Sequence, residues 1–258
     1  LVIAASAGLL IYQGLVSKDL DSGTVTKCAL IIAGAVLGML KPQRKGAVSN
    51  KKVTYQKAYS EFIQNAFSDE PKLEKQLYNA IHDYNLNRPA AAIAKLEKLR
   101  RQCQRSADLR AVITFLALCY DDMGLMDDAI QQYNASLLIQ PNSALYSNMG
   151  LCYQRLGAPE KAFECYQQAI RLDPKNATAH NNLATYHFRQ GDHEEALRCA
   201  KDALAANATL PQALSCAAIC SALLGNQEEY EKYYRQAVAS GYNGAKIKNA
   251  IEQLDPNT

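Results

Sequence analysis

Four histidines and eight cysteines are the residues of this chain best suited to metal or redox chemistry. His180 and His187 lie seven residues apart on one predicted helix, and together with a nearby thiol they could hold a metal ion. Cys216 and Cys220 are one helical turn apart, which invites a metal or redox interpretation. The sequence contains no CxxC pair and no C-x2-C followed by H-x3-H, so the usual spacing of zinc and dithiol sites is missing.

Sequence motifs of common catalytic sites are also missing. The chain has no glycine-rich phosphate loop, no GxSxG turn and no HExxH sequence. Acidic pairs such as Glu194-Glu195 fall at predicted helix ends and faces, where solvation or pairing with the helix dipole explains them. We therefore predict that the protein is not an enzyme and uses no cofactor and no metal. A metal-dependent activity through His180, His187 and cysteines is an alternative hypothesis.

A regular period in the chain shows which elements position these side chains. Gly124, Gly157, Gly191 and Gly225 follow one another at intervals of 33, 34 and 34 residues, and other small residues keep the same interval. Self-similarity at such a period indicates a repeat array, in which each unit packs on its neighbours. The two histidines also fit this period, because they stand where the preceding unit has Tyr146 and Tyr153, so we expect them to serve in packing.

The cysteines follow the same period. Cys119, Cys152 and Cys220 share one position of the repeat, and Cys165 and Cys199 share another. Equivalent positions in stacked helical units lie about 10 Å apart, whereas a disulfide needs Cα atoms within about 7 Å. We therefore predict buried free thiols and a reducing compartment.

Residues 143–176 resemble a tetratricopeptide repeat (TPR). The matching positions are the apolar-Gly pair, the tyrosine, the turn glycine, the small alanine, the aromatic, the second alanine and the closing proline: Met149-Gly150, Tyr153, Gly157, Ala162, Tyr166, Ala169 and Pro174. The resemblance covers residues 110–244 with high specificity and residues 73–106 with low specificity. It departs from the pattern at Tyr230, which replaces the small alanine in the last unit. The resemblance implies an all-α fold, an α-solenoid of TPR-like helix pairs.

The predicted organisation has five parts. An N-terminal apolar helical hairpin is expected to form a two-helix membrane anchor, and a basic linker joins it to the array. Helices that include a diverged repeat come next, then four TPR-like units and a C-terminal capping helix. The boundaries of these parts are 1–40, 41–52, 53–109, 110–244 and 245–258.

Residues 1–40 contain two apolar runs, 1–17 and 28–40, that are borderline in length for membrane spans. Three interpretations are open: a membrane hairpin, a signal peptide followed by another element, or an apolar helix pair packed on the repeats. Residues 41–52 carry five positive charges and no acid, which is typical of the cytoplasmic side of a span. We expect the hairpin at the membrane with the repeat domain cytoplasmic, and a soluble cytoplasmic protein is the alternative.

The resemblance also implies a groove lined by the first helix of every unit. Asn148 and Asn182 occupy equivalent positions in two units, where an amide can donate to and accept from the main chain of an extended peptide. Arg155 and Arg189 are equivalent as well and could hold a carboxylate. The predicted partner-binding groove consists of Asn148, Gln154, Arg155, Asn181, Asn182, Phe188 and Arg189.

These features predict a non-catalytic protein–protein interaction scaffold that binds a peptide or helix of a partner protein in its groove. The alternative is a structural or assembly subunit that uses its convex and end surfaces for self-association or for a membrane complex. Nucleic acid is not an expected partner, because the net charge of +3 arises in residues 1–52 and the rest of the chain is slightly acidic.

Overall fold

The computed structural model describes residues 59–63 and 65–254, together with Tyr55 and Lys57. Throughout this part of the chain the regular elements are helices, so the predicted all-α repeat solenoid is confirmed. They are α1 (Ser60–Ile63), α2 (Pro71–Asn85), α3 (Pro89–Arg100), α4 (Ser106–Asp122), α5 (Met126–Ile139), α6 (Ser143–Arg155), α7 (Pro159–Leu172), α8 (Ala177–Arg189), α9 (His193–Ala206), α10 (Pro211–Leu223), α11 (Gln227–Ala239) and α12 (Gly244–Leu254). The predicted apolar hairpin and basic linker lie outside the described residues.

Consecutive helices form five pairs, α2/α3, α4/α5, α6/α7, α8/α9 and α10/α11. The second helix of each pair also contacts the first helix of the next pair, and so the units stack in chain order. First helices of adjacent units touch as well, since α6 contacts α8 and α8 contacts α10. One face of the stack is therefore built from first helices, as the family resemblance implies.

Local sequence signals set the helix ends inside each unit. The turn glycines Gly124, Gly157, Gly191 and Gly225 all have φ between 74° and 80°. This left-handed conformation favours glycine and ends the first helix of a pair. Pro89 and Pro159 begin second helices, where a missing N–H has no cost.

Two asparagines cap the N-terminal ends of first helices. The side chain of Asn142 accepts a hydrogen bond from the Leu145 N–H, and that of Asn176 accepts one from the Ala179 N–H. A side-chain oxygen in this position satisfies a backbone donor that the helix itself leaves unpaired. The two residues are 34 positions apart, so the cap belongs to the repeat.

Small and large side chains alternate in the core between paired helices. Ala162, Ala169, Ala196 and Ala203, small residues of the repeat pattern, are fully buried, as are the rings of two tyrosines, Tyr133 and Tyr166. In the last unit Tyr230 stands where other units have alanine, yet α10 and α11 still pack against each other. Its half-buried ring packs against the hydrophobic core, 5.6 Å from the ring of Tyr234 on the same helix.

The C-terminal end of the described array is covered, because α12 packs on α10 and α11 and buries Ile247 completely. At the start of the array α1 contacts α4, and the buried carboxylate of Asp108 in α4 accepts hydrogen bonds from the Phe67 N–H at 2.6 Å and from Arg105. Within residues 59–254, no helix has both the length and the apolar character required to span a bilayer.

Candidate functional site

A cleft of about 310 Å³ opens between α8 and α10, on the face built from first helices. We call it the α8–α10 cleft. It is lined by Asn181, Thr185, Phe188, Gln212, Ser215, Cys216, Ile219 and Tyr242.

The repeat explains why these side chains meet. Asn181, Thr185 and Phe188 are spaced by four and three residues, which places them on one face of α8. Ser215 and Ile219 stand 34 residues after Asn181 and Thr185, so the neighbouring helix α10 presents the same positions beside them. Two adjacent units therefore supply equivalent walls of one cleft.

Two adjacent asparagines of α8, one of which lines this cleft, each have an amide atom without a hydrogen-bond partner. The Oδ1 atom of Asn181 and the Nδ2 atom of Asn182 are buried, and neither bonds to any residue that the structure describes. Asn182 is only 7% exposed, whereas Asn181 lines the cleft. A buried polar atom left unpaired costs about 1–3 kcal/mol, so the Asn181 acceptor favours a ligand that brings a hydrogen-bond donor into the cleft.

The other predicted groove residues are engaged within the chain or lie apart. Gln154 accepts a hydrogen bond from the Tyr166 hydroxyl at 2.8 Å. Arg155 forms an ion pair with Asp121 of the preceding unit. Burial raises the pKa of Asp121 against the opposing effect of Arg155.

Asn148 is half-buried beside the Tyr133 hydroxyl, and Arg189 is exposed. The structure thus brings Asn181 and Phe188 together at the α8–α10 cleft, whereas Asn182, also in α8, is buried and does not line it. Asn148, Gln154 and Arg155 belong to the preceding unit.

The cleft also contains residues that sequence reasoning did not select for the groove. Ser215, Cys216 and Ile219 could have been found by moving the α8 positions forward by one repeat, whereas Tyr242 lies after α11 and gives no such signal. Cys216 Sγ lies 4.0 Å from Cys220 Sγ. A hydrogen bond from the Cys220 thiol lowers the pKa of Cys216 and raises that of Cys220.

The two histidines considered as metal ligands in the sequence each have other neighbours in the structure. His180 Nε2 lies 3.0 Å from the Pro174 carbonyl oxygen, and the ring of His187 packs against Phe163 and Tyr186. The two histidines therefore do not converge on one point. All cysteines among the described residues are free, and Cys119, Cys152, Cys165, Cys199 and Cys220 are buried, as predicted.

The paired helices, turn glycines and inter-unit cleft define an α-helical repeat protein. Two sequence models of the tetratricopeptide repeat match the chain, one at residues 108–175 and 141–209 and the other at 182–246. Together they match more than half of its length. The chain belongs to the tetratricopeptide repeat family, whose members act as protein–protein interaction scaffolds.

Solved structures share this fold. YrrB, described as a TPR protein with an unusual peptide-binding site, is 18% identical over 78% of this chain and 98% of its own, with a TM-score of 0.54. A thermophilic TPR protein of Thermus thermophilus is 20% identical over 70% of this chain and 97% of its own, with a TM-score of 0.53. MamA is 18% identical over 63% of this chain and 94% of its own, with a TM-score of 0.54. No curated protein sequence matches the chain.

Proposed function

We propose that this protein is an interaction scaffold that holds an extended peptide segment of a partner protein in the α8–α10 cleft. The observation that carries the proposal is the buried, unpaired acceptor Oδ1 of Asn181, a residue that lines this cleft. A peptide main chain offers one N–H donor per non-proline residue, which is the complement of this acceptor.

The remaining walls of the cleft fit an apolar side chain on that peptide. Phe188, Ile219 and Tyr242 supply carbon-rich surface, while Thr185 and Ser215 add small polar groups. Burial of an apolar side chain there contributes about 25 cal/mol per Å² removed from water. A pocket with mostly apolar walls and a few placed polar groups is the common form of a specific binding site. The similar fold of YrrB has a peptide-binding site, which supports a peptide as the ligand.

Selection from a random peptide library on the immobilised full chain tests the proposal. The enriched peptides are labelled, and their affinities are measured by fluorescence anisotropy for the wild-type protein and for two variants. Ile219→Arg places a charge in the cleft, and Gln131→Arg places the same charge on an exposed position of α5.

We expect Ile219→Arg to weaken peptide binding at least about tenfold, because the arginine fills the cleft and must be desolvated there. Gln131→Arg should bind as the wild type does. Peptides that bind both variants equally well would occupy another surface, and the proposal would then be wrong.

Membrane attachment through residues 1–40, with the repeat domain cytoplasmic, stays a prediction from the sequence, because those residues lie outside the described part. Its support is the two apolar runs and the five positive charges that follow them. Extraction of the full chain from membranes with alkaline carbonate tests it, since an anchored protein stays in the pellet.

A further inference from the structure

Three side chains of different chemistry converge at the turn between α8 and α9. His187 lies in the last turn of α8, and Glu195 and Cys199 lie in the first turns of α9. Each offers one ligand atom, and these atoms all lie within 4.8 Å of one another. Among the residues that the structure describes, no other group of three such side chains meets this distance.

We propose that His187, Glu195 and Cys199 form a binding site for one divalent cation of the zinc type. Imidazole nitrogen, thiolate sulfur and carboxylate oxygen are the ligands that Zn²⁺ uses, at about 2.0–2.3 Å from the metal. Tetrahedral ligands at those bond lengths are about 3.5 Å apart, so the three side chains need to close in by about 1 Å. Three protein ligands leave the fourth position to water or to another carboxylate.

The surroundings of the three residues fit this role. The rings of Phe163 and Tyr186 pack edge-on against His187, with centroids 5.9 and 5.3 Å away, and so fix the imidazole. Asp192 Oδ2 lies 3.7 Å from His187 Nδ1, close enough to orient the ring or to complete the coordination.

Arg198 is the group that competes with a cation. Its guanidinium binds both carboxylate oxygens of Glu195, with Nε donating to Oε2 at 2.9 Å, and it also donates to Asp202 at 3.0 Å. When a cation binds, Glu195 exchanges the guanidinium for the metal, and Arg198 retains Asp202. Zn²⁺ then balances the charges of Glu195 and the Cys199 thiolate, whose proton leaves to solvent.

A neighbouring cleft reaches one of the three ligands. It has a volume of about 280 Å³, lies among α7, α8 and α9, and is lined by Arg198, Cys199 and Asp202, among other residues. Cys199 itself is 1% exposed, so its sulfur sits where water is largely excluded. Movement of Arg198 towards Asp202 opens the cleft to the three ligands.

The preceding unit provides an internal control. Cys165 stands 34 residues before Cys199 and is also buried. At the positions equivalent to His187 and Glu195, however, that unit has Tyr153 and Lys161. Both units are helix pairs with a buried cysteine at the same position, but only the later unit has the histidine and the glutamate.

Titration of the purified, chelator-treated full chain with Co²⁺ tests the proposal. A cobalt–thiolate bond gives a near-ultraviolet charge-transfer band, and displacement by Zn²⁺ gives the zinc affinity. The variants are Cys199→Ala, His187→Tyr, which copies Tyr153 of the preceding unit, and the matched control Cys165→Ala. Circular dichroism verifies that each variant keeps its helices.

We expect one Co²⁺ per wild-type chain, with the band lost in Cys199→Ala and retained in Cys165→Ala. His187→Tyr should bind Zn²⁺ at least about tenfold more weakly, since a ligand is removed while the aromatic packing stays. Absence of the band in the wild type would overturn the proposal. A band that survives Cys199→Ala would assign the metal to other thiols, such as Cys216 and Cys220, and would overturn it as well.

Discussion

The ring of Tyr166 packs directly on the backbone of Gly150. A Cβ atom built on Gly150 would lie 2.5 Å from Cε1 and 2.8 Å from Cδ1 of that fully buried ring. The next unit has Ala184 and Ala200 at these two positions, so a larger residue on the first helix is matched by a smaller one on the second.

Gly150→Ala should destabilise the protein, because the new methyl group overlaps the fully buried ring of Tyr166. Overpacking costs about 1–3 kcal/mol, and for an approach as short as 2.5 Å we expect a cost above the gain in helix propensity of about 1 kcal/mol. The urea midpoint of unfolding, followed by circular dichroism, measures the loss. The double variant with Tyr166→Ala copies the Ala184 and Ala200 pair, and its loss should be smaller than the sum of the single losses. An unchanged midpoint for Gly150→Ala would contradict the tight crossing.

Asp108 should make the stability of the array depend on pH. Burial opposes ionisation of this carboxyl, but hydrogen bonds from Arg105 and from the Phe67 N–H outweigh burial, and the pKa lies below its ordinary value. An acid with a lowered folded-state pKa contributes stability above its unfolded pKa of about 3.9 and loses it as the pH falls further.

We therefore expect Asp108→Asn to lower the unfolding free energy at pH 7 by about 2 kcal/mol, since hydrogen bonds to a charged group are weakened. The difference from the wild type should shrink below about pH 4. Asp69→Asn is the matched control, because Asp69 pairs with the same Arg105 but is 85% exposed. If both variants lowered the unfolding free energy equally, the buried hydrogen bonds of Asp108 would not be a special source of stability.

Asn181→Leu should separate stability from binding. Replacement of an unpaired buried amide oxygen by an apolar group of similar shape is nearly neutral or stabilising, so the urea midpoint should stay the same or rise. Affinity for the selected peptides should fall at least about tenfold, because the acceptor for the peptide main chain is lost. A clear loss of stability would show instead that the amide makes contacts in the free protein.

Ile247→Asp should release the capping helix α12. A carboxylate at a fully buried position is unfavourable unless the helix detaches, and detachment uncovers apolar side chains of α10 such as Leu214. Light scattering should then show self-association, because an open end of a repeat array exposes apolar surface. Asn249→Asp, on the exposed side of α12, should show the same light scattering as the wild type. Equal behaviour of both variants would mean that α12 has no protective role.

Sequence reasoning predicted the fold well because its signals are local. The turn glycines and the prolines that begin second helices act within a few residues, and the structure places them as expected. Contacts between side chains of different units cannot be predicted from such local signals. Arg155 meets Asp121 across a unit boundary, and this pair depends on how the units stack and not on any motif.

Equivalent positions also differ in their surroundings. Asn148 and Asn182 share one place in the repeat, but the first is half-buried and the second is nearly inaccessible. Similarly, His180 and His187 share one helix but sit about 10 Å apart along its axis. The neighbours of His187, Glu195 and Cys199, come from the next helix and approach it only once α8 and α9 pack together.

The matching asparagine caps mean that the protein can be lengthened in whole modules. Residues 143–176 start just after the cap residue Asn142 and finish with the cap residue Asn176. A duplicated copy of this stretch would follow a capping asparagine and would itself end in one. Its turn glycine, the copy of Gly157, would again end the first helix of the unit. Tandem duplication would thus lengthen the face built from first helices while the existing junctions between units stay as they are.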